Sequence, residues 1–360
     1  MHKEIIMTAQ IVSFLCPSYN HEKYIRFFLD SLLAQTNPNW ELIIVDDCST
    51  DNNINEIKKY DDKRIKLFKN PFNMGINCAI NNAFKHANGD IMAFVASDDV
   101  VVSDYVETVL KEFNAYPDVD ALYGALQLIN HDGSVRKGDI WKQSVGTKEY
   151  LLQKSFYSMN MMLSPGMALR RSAFAQLCPL PVPLSHYQDY KMHVDIMLNL
   201  NFMVTDKILI NYRKPSEKSG ISVVNENTLR TRKLEENILM DSFLQINKIE
   251  QLQDIFGSEA LKQFYPLDER LIPFYLGQLA LRADTEYKKI WGYNQIAKFI
   301  ANKDNYILVH DLYGYCYADF LKISKYFEQD VIQRKYLKYK KLFNRTVVLL
   351  ILMGVALLIK

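Results

Sequence analysis

The sequence predicts an α/β protein: a doubly wound, mostly parallel sheet with flanking helices, followed by a mainly helical C-terminal region. Three observations carry this. Nearly continuous apolar runs at residues 11–15, 42–45 and 91–95 read as strands covered on both faces, as in parallel sheets. Segments with helical spacing separate them and give the order β-α-β-α-β-α-β. From about residue 226 to about 341 the texture changes to long helical stretches rich in Leu, Ile, Tyr and Lys.

The first strand ends in "CPSYN". The helix after it, "HEKYIRFFLDSLLAQT", carries Tyr24, Phe27, Phe28, Leu32 and Leu33 at helical spacing. The second strand runs into "DDCSTD". A short strand follows at "RIKLF", then the turn "NPFNMG", then a helix over 76–87. The strand at 91–95 runs into "SDD". Residues 121–225 read as short strands alternating with loops, with Pro179, Pro181 and Pro183 as breakers.

The chain has 360 residues, enough for one large domain with an appendage. Its net charge of +2 gives no electrostatic reason for a nucleic-acid partner. The five cysteines are odd in number, scattered and without a CxxC pair, which argues against a disulfide framework or a zinc site and fits a reducing compartment. No signal-peptide pattern is expected, because Pro17 interrupts the first apolar run.

Doubly wound sheets bind ligands beyond the C-terminal ends of their strands. Here those ends converge on acidic and small polar residues. Ser49, Thr50 and Asp51 are equally well read as helix caps. Capping explains only one residue of each Asp-Asp pair, Asp46-Asp47 and Asp98-Asp99. Two adjacent carboxylates at the end of a buried strand call for a positive charge: a lysine, an arginine or a metal ion. Neither GxGxxG nor GxxxxGK[ST] is present, so a nucleotide here would lack a glycine cradle. A divalent cation held by carboxylates would neutralise a diphosphate instead.

The blocks "VSFLCPSYNHEKYIRFFLDSLLAQTNPNWELIIVDDCSTDN" and "NPFNMGINCAINNAFKHANGDIMAFVASDD" resemble the start of a family 2 glycosyltransferase of GT-A fold. The likeness continues through "SPGMALRRSAF", "YQDYKMHVDI" and "NYRKPSEKSGIS", and covers about the first 225 residues. It implies transfer of a sugar, with inversion, from a nucleotide-diphosphate donor such as a UDP-sugar to an acceptor hydroxyl. By position it places Pro17, Tyr19 and Asp47 around the nucleoside, with Asp46 in support. It gives Asp98 and Asp99 to the ribose and to Mn²⁺ or Mg²⁺. Two departures stand out. Ala96 replaces the first aspartate of D-x-D-D, and Gln188 replaces the glutamate of an E-D pair. The remaining Asp189 is the implied catalytic base, although from its position alone it reads as a helix cap. Arg213 is a candidate for the diphosphate, next to a "KPSEKSG" segment that reads as a lid. Arg170 and Arg171 are further cationic candidates for the diphosphate, for which a solvated strand end is as good a reading. His186 and His193 lack metal-ligand spacing.

The C-terminal "RKYLKYKKLFNR" carries six cationic residues and precedes thirteen apolar ones, 347–359. As a helix that run is roughly 20 Å long against a hydrocarbon core of about 30 Å. Attachment to an anionic inner leaflet is the better expectation. The expected layout is a catalytic domain over 1–225, a helical region over 226–333 and a membrane-associating tail over 334–360. The expected acceptor is a saccharide or glycolipid. The alternatives are a nucleotidyltransferase and a non-catalytic nucleotide-sugar-binding scaffold.

Overall fold

The computed structural model describes residues 10–214, 225–327 and 339–340. The lid segment expected after Arg213 and most of the C-terminal tail lie outside them. Among the described residues, no helix is long and apolar enough to cross a membrane.

The first strands form as their apolar runs demand. They are β1 (Val12–Ser18), β2 (Trp40–Asp46), β3 (Ile65–Lys69) and β4 (Ile91–Phe94). The helices between them are α1 (Ile25–Leu33), α2 (Asn53–Ile57) and α3 (Ile76–His86). These four strands pair in parallel in the order β3-β2-β1-β4. Alternate residues bury on opposite faces: Phe14, Leu42 and Ile44 in one apolar cluster, Leu15, Ile43 and Val45 in another. On α1 the buried stripe is Ile25, Phe28, Leu29 and Leu32, a spacing of three and four. It is rotated from the expected face, so Leu33 stays exposed.

Beyond β4 the sheet becomes mixed. Strand β5 (Val100–Val101) and helix α4 (Tyr105–Ala115) come next, then β6 (Ala121–Ile129) and β7 (Val135–Trp141). They are followed by α5 (Lys148–Tyr157), β8 (Ala168–Arg170), α6 (Arg171–Leu177), α7 (Gln188–Asn199) and β9 (Phe202–Arg213). The full order is β3-β2-β1-β4-β8-β6-β9-β5, with β7 on β6. Strands β8 and β5 run antiparallel to their neighbours, whereas β9 lies parallel to β6. The expectation of short strands and loops over 121–225 is corrected by three helices and by two long strands. Helix α7 escapes a period-3.6 reading because so much of its circumference is buried, including Tyr190, His193, Val194, Ile196, Met197 and Leu198.

One consequence of this order positions the site. Only residues 95–99 separate β4 from β5, yet β8, β6 and β9 lie between them in the pairing order. The "ASDD" motif is therefore the chain's crossing from the centre of the sheet to its far edge.

Helix α8 (Glu226–Met240) starts at a capping box in which Asn225 and Thr228 bond reciprocally, so the sequence boundary at 225 falls on a helix N-cap. After it come α9 (Ile249–Phe256), α10 (Ser258–Leu261), α11 (Ile272–Ala280), α12 (Glu286–Ala301), α13 (Lys303–Tyr313) and α14 (Tyr317–Leu321). These helices share one core with the sheet. Leu239, Phe243, Phe274 and Trp291 belong to the same buried cluster as Leu15, Ile43 and Met92.

Candidate active site

The ends of β1, β2 and β4 lie side by side, because β1 pairs with both neighbours. The loops after β1 and β2 are laced together. The Asn20 N–H donates to Ser49 Oγ (2.9 Å), Thr50 N–H to Asn20 Oδ1 (2.8 Å) and Glu22 N–H to Asp51 Oδ2 (3.0 Å). Asn20 and Cys48 adopt left-handed conformations, φ 55° and 66°, costly for residues with a Cβ and held here by this lacing. Ser49, Thr50 and Asp51 are thus loop fasteners. Tyr19 projects from the first loop and is 41% exposed, which leaves its ring free to stack, while Pro17 is half-buried.

Both carboxylates of the first aspartate pair are spoken for. Asp46 is fully buried and accepts from Ser49 N–H (2.8 Å) and the Asn53 amide (2.9 Å). Asp47 accepts from the Asn70 amide (2.7 Å), Met74 N–H (2.9 Å) and Gly75 N–H (2.8 Å). It therefore holds the "NPFNMG" turn, where Gly75 has φ 87° and caps α3.

The second pair differs. Asp99 is buried, and its Oδ1 accepts from Arg213 N–H at 2.8 Å, but its Oδ2 has no partner. Burial, and then the charge of Asp98, push its pKa well above the usual carboxylate range. Asp98 keeps 30% of its side chain exposed, 4.0 Å from His21 Nε2. His21 Nδ1 in turn lies 2.7 Å from Ser97 Oγ. His21 was not singled out in the sequence. Its signal was its place directly after "PSYN".

The positive group behind the pair is Arg213. Its guanidinium donates to the carbonyls of Asp98 (2.7 Å), Asn130 (2.8 Å) and His131 (2.7 Å) and lies over the Tyr24 ring. It is 2% exposed and braces the wall of the site from within, with Nη2 left without a partner. Arg170 and Arg171 stand at the other edge of the sheet, since Arg170 pairs with Ile91 at the start of β4. Both are structural: Arg170 donates to the carbonyls of Val119 and Phe113, and Arg171 to that of Ala87.

Asp189 lies in the first turn of α7, one residue inside the helix, and the N-cap is Tyr187. Its Oδ1 accepts from Tyr190 N–H (2.7 Å) and its Oδ2 from Ser164 Oγ (3.4 Å). Ser164 leads into β8 beside the end of β4, where Gly166 N–H donates to Phe94 O at 2.9 Å. Asp189 is thereby tied, through Ser164, to the strand that carries Asp98 and Asp99. Burial pushes its pKa up to about 6, which suits a group that must take a proton near neutrality. His193, one turn further on, is a core residue. It is fully buried against Tyr123 Oη at 2.9 Å, and burial lowers its pKa to about 3.

Two residues after 225 reach this helix, and neither was singled out in the sequence. Glu235 binds the segment that leads into it. Lys288, fully buried with its pKa lowered to about 8 by burial, donates to the carbonyls of Ser155 (2.9 Å) and Ser158 (2.8 Å) and lies 3.3 Å from Tyr190 Oη.

A sheet of this order with acidic residues at its parallel strand ends is a GT-A arrangement, and known proteins agree. Residues 13–178 match the model for Glycosyl transferase family 2. The chain is 29% identical over 216 residues to UDP-Glc:alpha-D-GlcNAc-diphosphoundecaprenol beta-1,3-glucosyltransferase WfgD of Escherichia coli, across 60% of this chain and 81% of that one. Residues 1–349 of TarS from S. aureus, solved with UDP, share the fold at TM-score 0.54 and 20% identity, over 85% of this chain and 93% of that one. A mannosyltransferase from Pyrobaculum calidifontis, solved with GDP-Man and Mn²⁺, does so at TM-score 0.50 and 15% identity, over 88% and 87%. With residues 13–178 matching a family 2 glycosyltransferase domain and glycosyltransferases as its relatives, the chain is a glycosyltransferase. The nucleotidyltransferase alternative falls away.

Proposed function

We propose that the chain transfers a sugar, with inversion, from a UDP-sugar to the hydroxyl of a saccharide or glycolipid acceptor, in polysaccharide or glycolipid synthesis at the inner face of the membrane. The observation that carries the reading is the contrast in bonding at the strand ends. Asp99 keeps a buried oxygen without a partner, beside a partly open Asp98, while both oxygens of Asp46 and of Asp47 are bonded.

An orphaned carboxylate oxygen is what a Mn²⁺ or Mg²⁺ site requires before it is filled. Among the described residues there is no group of three or more acidic, His or Cys ligands. Two carboxylates suit a cation that takes its remaining oxygens from diphosphate and water. Asp98 and Asp99 would hold it. When bound, such an ion stabilises the charge that develops on the departing diphosphate. Tyr19 and Pro17 would flank the nucleoside. Asp47 would present the turn it holds to the base, with Asp46 fixing Asp47's loop from behind.

Asp189 would accept the acceptor's proton as the hydroxyl oxygen attacks the anomeric carbon from the face opposite the diphosphate. The bond from that carbon to the diphosphate oxygen breaks, UDP leaves with the electron pair, and the configuration inverts. The UDP named with TarS and the lipid-diphosphate acceptor named with WfgD are consistent with this choice of donor and acceptor.

The test is a thermal-shift and UDP-release screen of UDP- and GDP-sugars, with Mn²⁺ and with EDTA. Stabilisation by UDP in Mn²⁺, reduced in EDTA, is the expected result. Binding of UDP with equal strength in both overturns the metal assignment, and preference for GDP overturns the donor.

A further inference from the structure

The segment leading into α7 is gathered by one carboxylate from far along the chain. Glu235, on α8 and only 3% exposed, accepts four hydrogen bonds: from Ser185 N–H and Ser185 Oγ, both 2.8 Å, from His186 N–H (2.9 Å) and from Tyr187 N–H (2.8 Å). Helix N-termini usually draw such bonds from their own N-cap side chain. Tyr187 makes no side-chain cap here, and Glu235, roughly fifty positions away, takes the three amides at and before the N-cap instead. The oxygens of a carboxylate match this fan of donors, and the charge faces the positive end of the α7 dipole.

Asp189 lies two residues beyond the last of these amides. On the other side of the same turn, Lys288 of α12 reaches the Tyr190 hydroxyl. Two charged residues of the helical region thus bracket the first turn of α7, and both are buried. Neither touches the strand ends where Asp98 and Asp99 lie.

We propose that Glu235 is a positioning residue for the transfer reaction: by gathering the Ser185, His186 and Tyr187 amides it fixes the start of α7 and with it the place of Asp189. The inference rests on the reading of Asp189 as base. Misplacing a base by about 1 Å is enough to cost on the order of 10²-fold in rate. Glu235 contributes nothing to donor binding, because its contacts are all to residues 185–187.

The experiment compares Glu235→Gln, Glu235→Asp, Ser185→Ala, Asp189→Asn and the double variant Asp189→Asn/Glu235→Gln in the full chain. The donor is whichever of UDP-glucose, UDP-galactose and UDP-N-acetylglucosamine gives the fastest wild-type UDP release. UDP affinity is read by calorimetry, and hydrogen exchange by mass spectrometry over residues 183–192. Glu235→Gln should lower kcat by about 10- to 100-fold, with UDP affinity within twofold of wild type and faster exchange at 185–187. Glu235→Asp should recover part of the rate. The double variant should be no slower than Asp189→Asn alone, because residues acting as a unit are not additive. Ser185→Ala leaves the carboxylate and three amide bonds in place, so it tests the same point in a folded protein, with a loss of about threefold expected.

Loss of turnover and UDP affinity together, or a double variant slower by the product of the two effects, would return Glu235 to a purely structural role. If Asp189→Asn is inactive while Glu235→Gln turns over normally, the positioning role alone fails. If Asp189→Asn itself turns over normally, the base reading fails and the positioning role falls with it.

Discussion

Two Asp-Asp pairs sit at neighbouring strand ends, and the protein uses them in opposite ways. Asp46 and Asp47 spend their oxygens on their own chain, binding Ser49, Asn53, Asn70, Met74 and Gly75. Asp98 and Asp99 are braced by Arg213 from behind and keep oxygen capacity in front. The dipeptide is the same, but Asp46 ends β2 itself while Asp98 and Asp99 lie four and five residues past the end of β4. The difference lies in the donors that surround it. After β2 the chain turns back into a helix and a tight turn whose N–H groups point at the carboxylates. After β4 it turns at Ser97–Asp98 and crosses the sheet to β5, and the turn's Asp99 N–H donates to the Ala96 carbonyl (3.2 Å) and not to a carboxylate. A carboxylate without donors is a ligand in waiting; one with donors is a fastener.

This contrast can be sharpened or broken by substitution. The scale is set by a carboxylate outside both pairs. Asp189→Asn should lower kcat by about 10²–10⁴-fold and leave UDP affinity almost unchanged, as read by steady-state rates and calorimetry. Turnover near the wild-type rate would make Asp189 a helix-start residue only.

Next comes the open pair. Asp98→Ala or Asp99→Ala should each weaken Mn²⁺-dependent UDP binding by about 10- to 100-fold, measured as the difference between Mn²⁺ and EDTA. An unchanged difference would move the metal elsewhere.

The closed pair should answer through stability. Asp47→Ala strands the Asn70 amide and two backbone N–H groups, at a cost of about 1–3 kcal/mol for each group left unsatisfied, so its melting temperature should fall by several degrees. Asp99→Asn removes a carboxylate whose pKa burial already raises, so its melting temperature should hold or rise. If both variants lose stability equally, the two pairs are not different in kind.

The smallest expected effect is on pH dependence. The Asp189 pKa is raised from its ordinary value to about 6, so the folded protein holds a proton that the unfolded chain has already lost. The stability from that proton is fully present below the unfolded pKa of about 3.8 and is lost as pH rises through about 6. Ionisation thus costs at most about 3 kcal/mol at neutral pH, and Asp189→Asn should melt higher than wild type by a margin that grows from pH 5 to pH 7. Turnover should follow the reverse course and fall below about pH 6. A margin that does not change with pH would return the Asp189 pKa to the ordinary range.

Much of this was legible in the sequence, for physical reasons. Strands buried on both faces must be apolar throughout, so β1, β2 and β4 announced themselves, and their ends fixed where to look for chemistry. Position alone does not say which carboxylates are bonded, because the Asp47 donors lie 23 to 28 residues away and depend on how a turn closes. Arg213 read only as a candidate for the diphosphate because a sequence does not show that the carbonyls of 98, 130 and 131 converge on it. Helix α7 shows only a narrow polar stripe, Gln188, Lys191, Asp195 and Asn199, and Glu235, in a helix rich in charge, carried no mark to set it apart from the other charged residues of α8. The membrane-associating tail expected over 334–360 lies almost entirely outside the described residues.

The family match ends at residue 178, ahead of both Asp189 and the α8 carboxylate that grips its helix. Anyone hoping to change the acceptor by grafting, exchanging everything after residue 225 for a relative's counterpart, would therefore also be exchanging the carboxylate that holds the segment ahead of Asp189, the proposed base. A productive chimera would have to carry residues 185–187 and 235 as a matched set, with the seam placed before the proline-rich stretch at 179–183 and not at the more obvious joint.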